Sequence, residues 1–162
     1  MSHIGQVINA MIAYYAGDVR RINHFLKVYG FAKAIGEMEG LDESTQEIIE
    51  IAALTHDIGI KNSEKKYNSS AGNYQQIEGP PEAKKLLEGL GIESSVIDRV
   101  CWLIAHHHTY TDIQGIDYQI LVEADFLVNF YEDDMSNDSV HNVGSKIFKT
   151  LSGKAILNAI YA

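Results

Sequence analysis

Three side chains in this sequence are costly to bury, yet helical periodicity turns them inward. Asp125 follows Tyr118 by seven residues and Leu121 by four, and precedes Val128 by three, so a helix through this segment aims its carboxylate at the core. An ionised carboxylate buried there requires compensation, either by a metal ion or by an Arg or Lys partner. His56 follows Ile49, Ala52 and Ala53 by seven, four and three residues and extends their apolar stripe, with Asp57 turned about 100° around the axis. Taken alone, that dipeptide is equally well a core histidine bonded to a carbonyl beside an aspartate paired with a cation. His24 precedes Val28, Phe31 and Ile35 by four, seven and eleven residues and also projects from an apolar face. Imidazoles and carboxylates on three helices form a mixed nitrogen and oxygen set suited to Mn²⁺, Fe²⁺, Co²⁺, Ni²⁺ or Zn²⁺. With Cys101 the only thiol, thiolate-dominated chemistry is not expected.

A run of three histidines, His106-His107-His108, comes where another helix ends, its rings about 100° apart around the axis. His107 is a candidate general acid because imidazole titrates near neutral pH, and His108 is expected to face solvent. Tyr29, Tyr67, Tyr74, Tyr110 and Trp102 fall at helical spacings and read as core rather than as stacking platforms. The tract Glu132-Asp133-Asp134 lacks the spacing and glycine of a calcium loop and reads as a solvated loop.

The elements that must position these residues are helical almost throughout. Ile4, Val7, Ile8 and Met11 mark a first short helix, and Asp18 caps a second that runs to about Glu39, with Gly40 ending it. Ser44-Thr45-Gln46-Glu47 is a capping-box pattern that opens a third, which stops at Gly59 and leaves His56 and Asp57 near its C-terminal end. Residues 60–78, rich in Asn, Ser and Gly, read as a long loop, and Pro80 and Pro81 as the start of the next helix, carrying Leu86, Leu87 and Leu90. Ser94 or Ser95 caps the helix that leads into the histidine run, and Asp117 caps the one holding Asp125. A last amphipathic helix spans 143–160.

The 162 residues suffice for one compact domain, taken as 1–162. No apolar run approaches a membrane span, no secretory leader is evident, and a lone cysteine suits a reducing, cytoplasmic setting. A net charge of −9 argues against nucleic acid and leaves small phosphorylated molecules as the easier substrates. Self-association stays open.

Together, His24, the pair His56-Asp57 in AALTHDIGI, the segment HHHTY and Asp125 in LVEADFLVNF resemble the H…HD…D order of the HD-domain superfamily over residues 18 to about 131. The resemblance implies an all-α fold, a compact HD-domain helical bundle, whose metal is held by His24, His56, Asp57 and Asp125. Binuclear members of that superfamily add a further histidine and a His-His pair; here Glu78 stands at the first place and His106-His107 at the second, so one metal is expected and a second depends on them. The Gly-Tyr-Pro signature of the cyclic-dinucleotide branch is absent. The implied activity is metal-dependent hydrolysis of a phosphate ester or phosphoanhydride, nucleotides included, with Lys61, Arg20 and Arg21 as candidate phosphate contacts. The alternatives are a binuclear iron oxygenase and a non-catalytic module that binds a metal or ligand for a signalling partner.

Overall fold

The computed structural model describes residues 3–162, and among these it forms nine α-helices and no strand. Helix α1 (Ile4–Tyr14) turns Val7 and Met11 inward. Helix α2 (Val19–Met38) starts as expected, the Asp18 carboxylate accepting from the Arg21 amide at 3.2 Å, and Gly40 supplies the positive φ of +73° beyond its end. Helix α3 (Glu43–Thr55) is capped by Asp42, not by the Ser44 box: the Asp42 carboxylate accepts from the Thr45 amide at 2.7 Å. An unbroken buried run from Ile49 to Thr55 makes α3 central. It packs on α2, α6 (Ser94–His106) and α7 (Ile116–Glu132), the last buried almost all round.

Residues 60–78 are not a long loop. Helix α4 (Ile60–Tyr67) and the first turns of α5 (Gly72–Gly89) occupy them, joined by a short link. The polar residues that suggested a loop are absorbed locally: Ser63 is buried with its hydroxyl donating to the Gly59 carbonyl at 2.7 Å, and Asn68 ends α4 in the left-handed region at φ +52°. Pro80 and Pro81 lie inside α5 rather than at its start. Gly79, without a Cβ, eases the helical geometry before Pro80. It also lets the α3–α4 corner approach α5 closely. A Cβ on Gly59 would lie 2.7 Å from the Gln75 carbonyl oxygen and the Gly79 nitrogen, and one on Gly79 would lie 2.6 Å from Ile104 Cγ2 of α6. This glycine contact brings the corner after Asp57 onto α5 and α6.

Glu93, not Ser94 or Ser95, occupies the N-cap position of α6, and Gly115, not Asp117, that of α7. Asp117 sits in the first turn of α7, where Arg99 of α6 grips both its oxygens at 2.7 Å.

The expected helix 143–160 is two helices, α8 (Asn137–Ile147) and α9 (Leu151–Ile160). The break has a physical cause in Glu123 of α7, which is fully buried. Its carboxylate accepts from the Lys149 and Thr150 amides at 2.9 and 3.0 Å and from the Thr150 hydroxyl at 2.6 Å, drawing the chain out of helical geometry there. Thr150 then caps α9 by accepting from Gly153 N at 2.9 Å. No helix among the described residues is long and apolar enough to cross a membrane.

Candidate metal centre

Three helices and one corner converge on a small buried volume. His24 comes from the first half of α2, His56 and Asp57 from the C-terminal end of α3, and Asp125 from the middle of α7. The corner is fixed from outside by α1 and its end, the Tyr15 hydroxyl donating to the Asp57 carbonyl at 2.8 Å. Burial pushes the Tyr15 phenol upward, so it stays a protonated donor.

The donor atoms lie at ligand spacing. His24 Nε2 is 3.1 Å from Asp57 Oδ2 and 3.3 Å from His56 Nε2, and His56 Nε2 is 3.3 Å from Asp57 Oδ2. Asp125 Oδ1 lies 3.3 Å from each imidazole nitrogen. Ligands about 2.1 Å from one ion stand about 3.0 Å apart in octahedral and about 3.4 Å apart in tetrahedral geometry.

The hydrogen bonding on the far side of each ring determines what faces this centre. His56 Nδ1 is 2.7 Å from the Ala53 carbonyl and His107 Nδ1 is 2.7 Å from the Ile104 carbonyl, so each neutral ring presents an unprotonated Nε2 inward. His24 Nδ1 instead meets a carboxylate, Glu132 Oε1, at 2.6 Å. His107 Nε2, 3.6 Å from Asp57 Oδ1 and too far to hydrogen-bond, has no partner, and neither does Asp125 Oδ1. Buried acceptors facing buried acceptors, two of them orphaned, are what a cation site requires. His24, His56 and Asp57 form one group able to hold a metal ion, and Asp57, His107 and His108 a second.

In the metal-free protein, protons take the place of that cation. Burial disfavours the His24 imidazolium, but the adjacent Asp125 and Asp57 carboxylates outweigh it and raise its pKa to about 10. His56 is also raised well above its ordinary value, because Asp57 and Asp125 overcome a still larger desolvation. Burial favours neutral carboxyls, yet the adjacent His56 charge and the other imidazoles around them hold Asp57 and Asp125 low.

The remaining expected site residues are placed differently. His106 does not join the cluster: its Nδ1 lies 2.7 Å from the Trp102 carbonyl and its ring stacks on the Trp102 indole at 3.9 Å. His108, expected in solvent, turns toward the site, its Nε2 lying 3.0 Å from the Gln75 amide oxygen; burial and the neighbouring His107 lower its pKa to about 4. Glu78 is engaged elsewhere, accepting from Lys66 Nζ at 2.7 Å and from the Tyr67 hydroxyl at 3.2 Å, and belongs to neither ligand group. Lys61 donates to the Tyr14 carbonyl at 3.1 Å and lies over the Tyr14 ring, beside a separate shallow hollow. Arg21 is spent on Asp18 and Glu64. Arg20 is exposed and lines the cleft of about 500 Å³ that opens over the centre. Tyr67, Tyr110 and Trp102 are not core: each is about two-fifths exposed, at 41, 40 and 39%.

Glu132, assigned from sequence to a solvated acidic loop, is the last residue of α7 and sits against His24. The signal for it was available: it follows Asp125 by seven residues, with Asn129 between them at four, and all three line the cleft. A larger hollow of about 750 Å³, lined by Glu43, Glu47, Glu50, Glu93 and Lys33, lies away from these donors. Its buried carboxylate, Glu50, already accepts from Gln46 at 2.8 Å.

Fold and donor set define an all-helical protein whose central helices enclose a His/Asp group able to hold a metal ion. The family model of the HD domain matches residues 21–140, and the chain belongs to that family. Its fold is similar to that of a protein from an uncultured Thermotogales bacterium whose crystal structure is described as a predicted HD superfamily hydrolase. The TM-score is 0.70 at 22% identity, over 98% of this chain and 85% of that one. None of the curated proteins compared with it matches.

Proposed function

We propose that this protein is a metal-dependent phosphohydrolase that cleaves a phosphate ester or phosphoanhydride bond in a small polar molecule. The observation that carries this reading is the convergence of His24, His56, Asp57 and Asp125 at ligand spacing, with Asp125 Oδ1 buried and unpartnered. A divalent ion held by these four residues supplies Lewis acidity toward a phosphoryl oxygen and lowers the pKa of water. The similar fold of a protein described as a predicted HD superfamily hydrolase supports hydrolysis in general.

The chain's own groups shape the rest. The cleft over the centre is lined by Arg20, Arg21, Gln75, His108 and Asn129 beside the acidic Asp18 and Glu132. Arg20 has no ion pair among the described residues, whereas Arg21 is locked to two carboxylates, so Arg20 is the guanidinium free to grip a phosphate. Among the described residues that line the cleft, one cation without an ion pair beside Asp18 and Glu132 matches one phosphate group on a hydroxylated, uncharged carrier better than a triphosphate. Small phosphorylated metabolites, nucleoside monophosphates included, fit that description and a cytoplasmic setting.

Asp57 belongs to both ligand groups, so a second ion, if held, would draw on His107 and His108 beside it. That arrangement keeps the binuclear iron oxygenase as a second reading. One experiment separates them: phosphate release from p-nitrophenyl phosphate and a panel of phosphomonoesters, without oxygen, in Mn²⁺, Co²⁺, Ni²⁺ or Fe²⁺. Metal-dependent release that Asp57→Ala abolishes is expected. Iron uptake with oxygen consumption and no phosphate from any substrate would replace the hydrolase reading with the oxygenase one.

A further inference from the structure

We infer that Glu132 and Lys27 form a charge relay behind His24 that sets how strongly this one ligand, and not the others, holds the metal. The inference rests on the metal-centre reading above and adds two positioning residues that act through His24 rather than as ligands of the ion.

Three imidazoles face the centre, and two of them, His56 and His107, rest their Nδ1 on main-chain carbonyls of their own helical ends. A carbonyl fixes the ring's tautomer but carries no net charge. His24 alone rests on a carboxylate: Glu132 Oε1 is 2.6 Å from Nδ1. The other oxygen of Glu132 is taken by Lys27 Nζ at 2.8 Å, and the Lys27 ammonium is further held over the Tyr131 ring at 5.5 Å. The order from solvent inward is ammonium, carboxylate, imidazole, metal position. The Glu132 side chain is 13% exposed and that of Lys27 42%, so the charge next to the ring is shielded and the outer one partly solvated.

The elements enforce this order. His24 and Lys27 are three residues apart on one face of α2, and Glu132 ends the α7 helix that also supplies Asp125 seven residues earlier. A carboxylate accepting from Nδ1 orients the ring and increases electron density at Nε2, which strengthens it as a donor. The ammonium on the carboxylate's other oxygen withdraws part of that effect. The two residues therefore act with opposite signs on metal affinity. By Coulomb's law a divalent ion at Nε2 gains twice what a proton gains from the same carboxylate, so this sign survives competition from protons.

The test is competitive titration of Mn²⁺ and Co²⁺ into metal-free wild type, Glu132→Gln, Lys27→Met and the double variant at one pH, with the Co²⁺ visible spectrum recorded in parallel. Glu132→Gln is expected to bind about tenfold more weakly and Lys27→Met roughly threefold more tightly than wild type. In the double variant the Lys27 effect should vanish, because no carboxylate remains for it to damp. Both single variants weaker, or both equal to wild type, would overturn the relay while leaving the metal centre standing. Wild type that takes up neither ion would overturn the centre itself and the relay with it. Should Glu132→Gln fail to fold, the sign of the Lys27→Met change decides alone, tighter supporting the relay and unchanged or weaker overturning it.

Discussion

Two carboxylates two residues apart on α7 meet opposite surroundings. Glu123, fully buried, is ringed by donors: Gln119 Nε2 at 2.6 Å, the Lys149 and Thr150 amides, and the Thr150 hydroxyl. Asp125, 5% exposed, has an oxygen with no hydrogen-bond partner, directed at two imidazole nitrogens 3.3 Å away. Burial cost is comparable for the two, and only the donor supply differs. A buried carboxylate saturated by main-chain amides is part of the scaffold. One that faces other acceptors lacks the positive charge that a cation would supply.

That contrast is sharpest under substitution. Asp125→Asn removes the charge and one oxygen donor from the centre, and metal affinity measured by competition should fall about a hundredfold or more, with metal-dependent phosphate release lost. The helical circular dichroism of the metal-free protein should persist. Equal metal affinity in wild type and Asp125→Asn would erase the distinction drawn here.

Glu123→Gln should do the reverse. It leaves amides and a hydroxyl at the α8–α9 break poorly satisfied, and unfolding stability should drop by about 3 kcal/mol, read from the denaturant midpoint. Metal affinity of the folded fraction should stay at the wild-type value. A variant that kept its stability but lost metal would show Glu123 to be part of the site.

The effect of pH is the smallest for a single step, about tenfold in affinity per pH unit while a single proton is displaced. His24, raised to about 10 by Asp125 and Asp57 against its own burial, carries a proton at neutral pH that the ion must displace. Affinity should therefore climb from pH 6 toward pH 10, and uptake at pH 7.5 should release at least about one proton per ion, measured by calorimetry in two buffers. The sign for the metal-free protein is opposite. A raised pKa stabilises the fold fully below the ordinary value of 6.5 and ceases to do so as pH rises through about 10. Thermal stability of the metal-free protein should then decline over that window while the stabilisation added by metal grows.

The helical class and the inward placement of His24, His56 and Asp125 were legible because they depend on a period of 3.6 residues within one segment. The polar segment after Gly59 misled for a local reason: Ser63 and Asn68 were read by type, whereas Ser63 satisfies its hydroxyl inside the helix and Asn68 ends it. Glu132 was legible in its spacing from Asp125, but its charge placed it with its acidic neighbours.

The sequence alone determined which side chains each helix turns inward, since local backbone geometry sets that direction. Tertiary packing decided which inward or edge-facing group finds which partner. It sent His108 to the cleft, tied Glu78 to Lys66, left Arg20 without an ion pair among the described residues where Arg21 is bound, and put Glu132 behind His24. Each of these outcomes joins elements separated in the chain, through contacts such as Gly59 on Gly79. Their geometry is a property of how helices meet, which no single helix's periodicity contains.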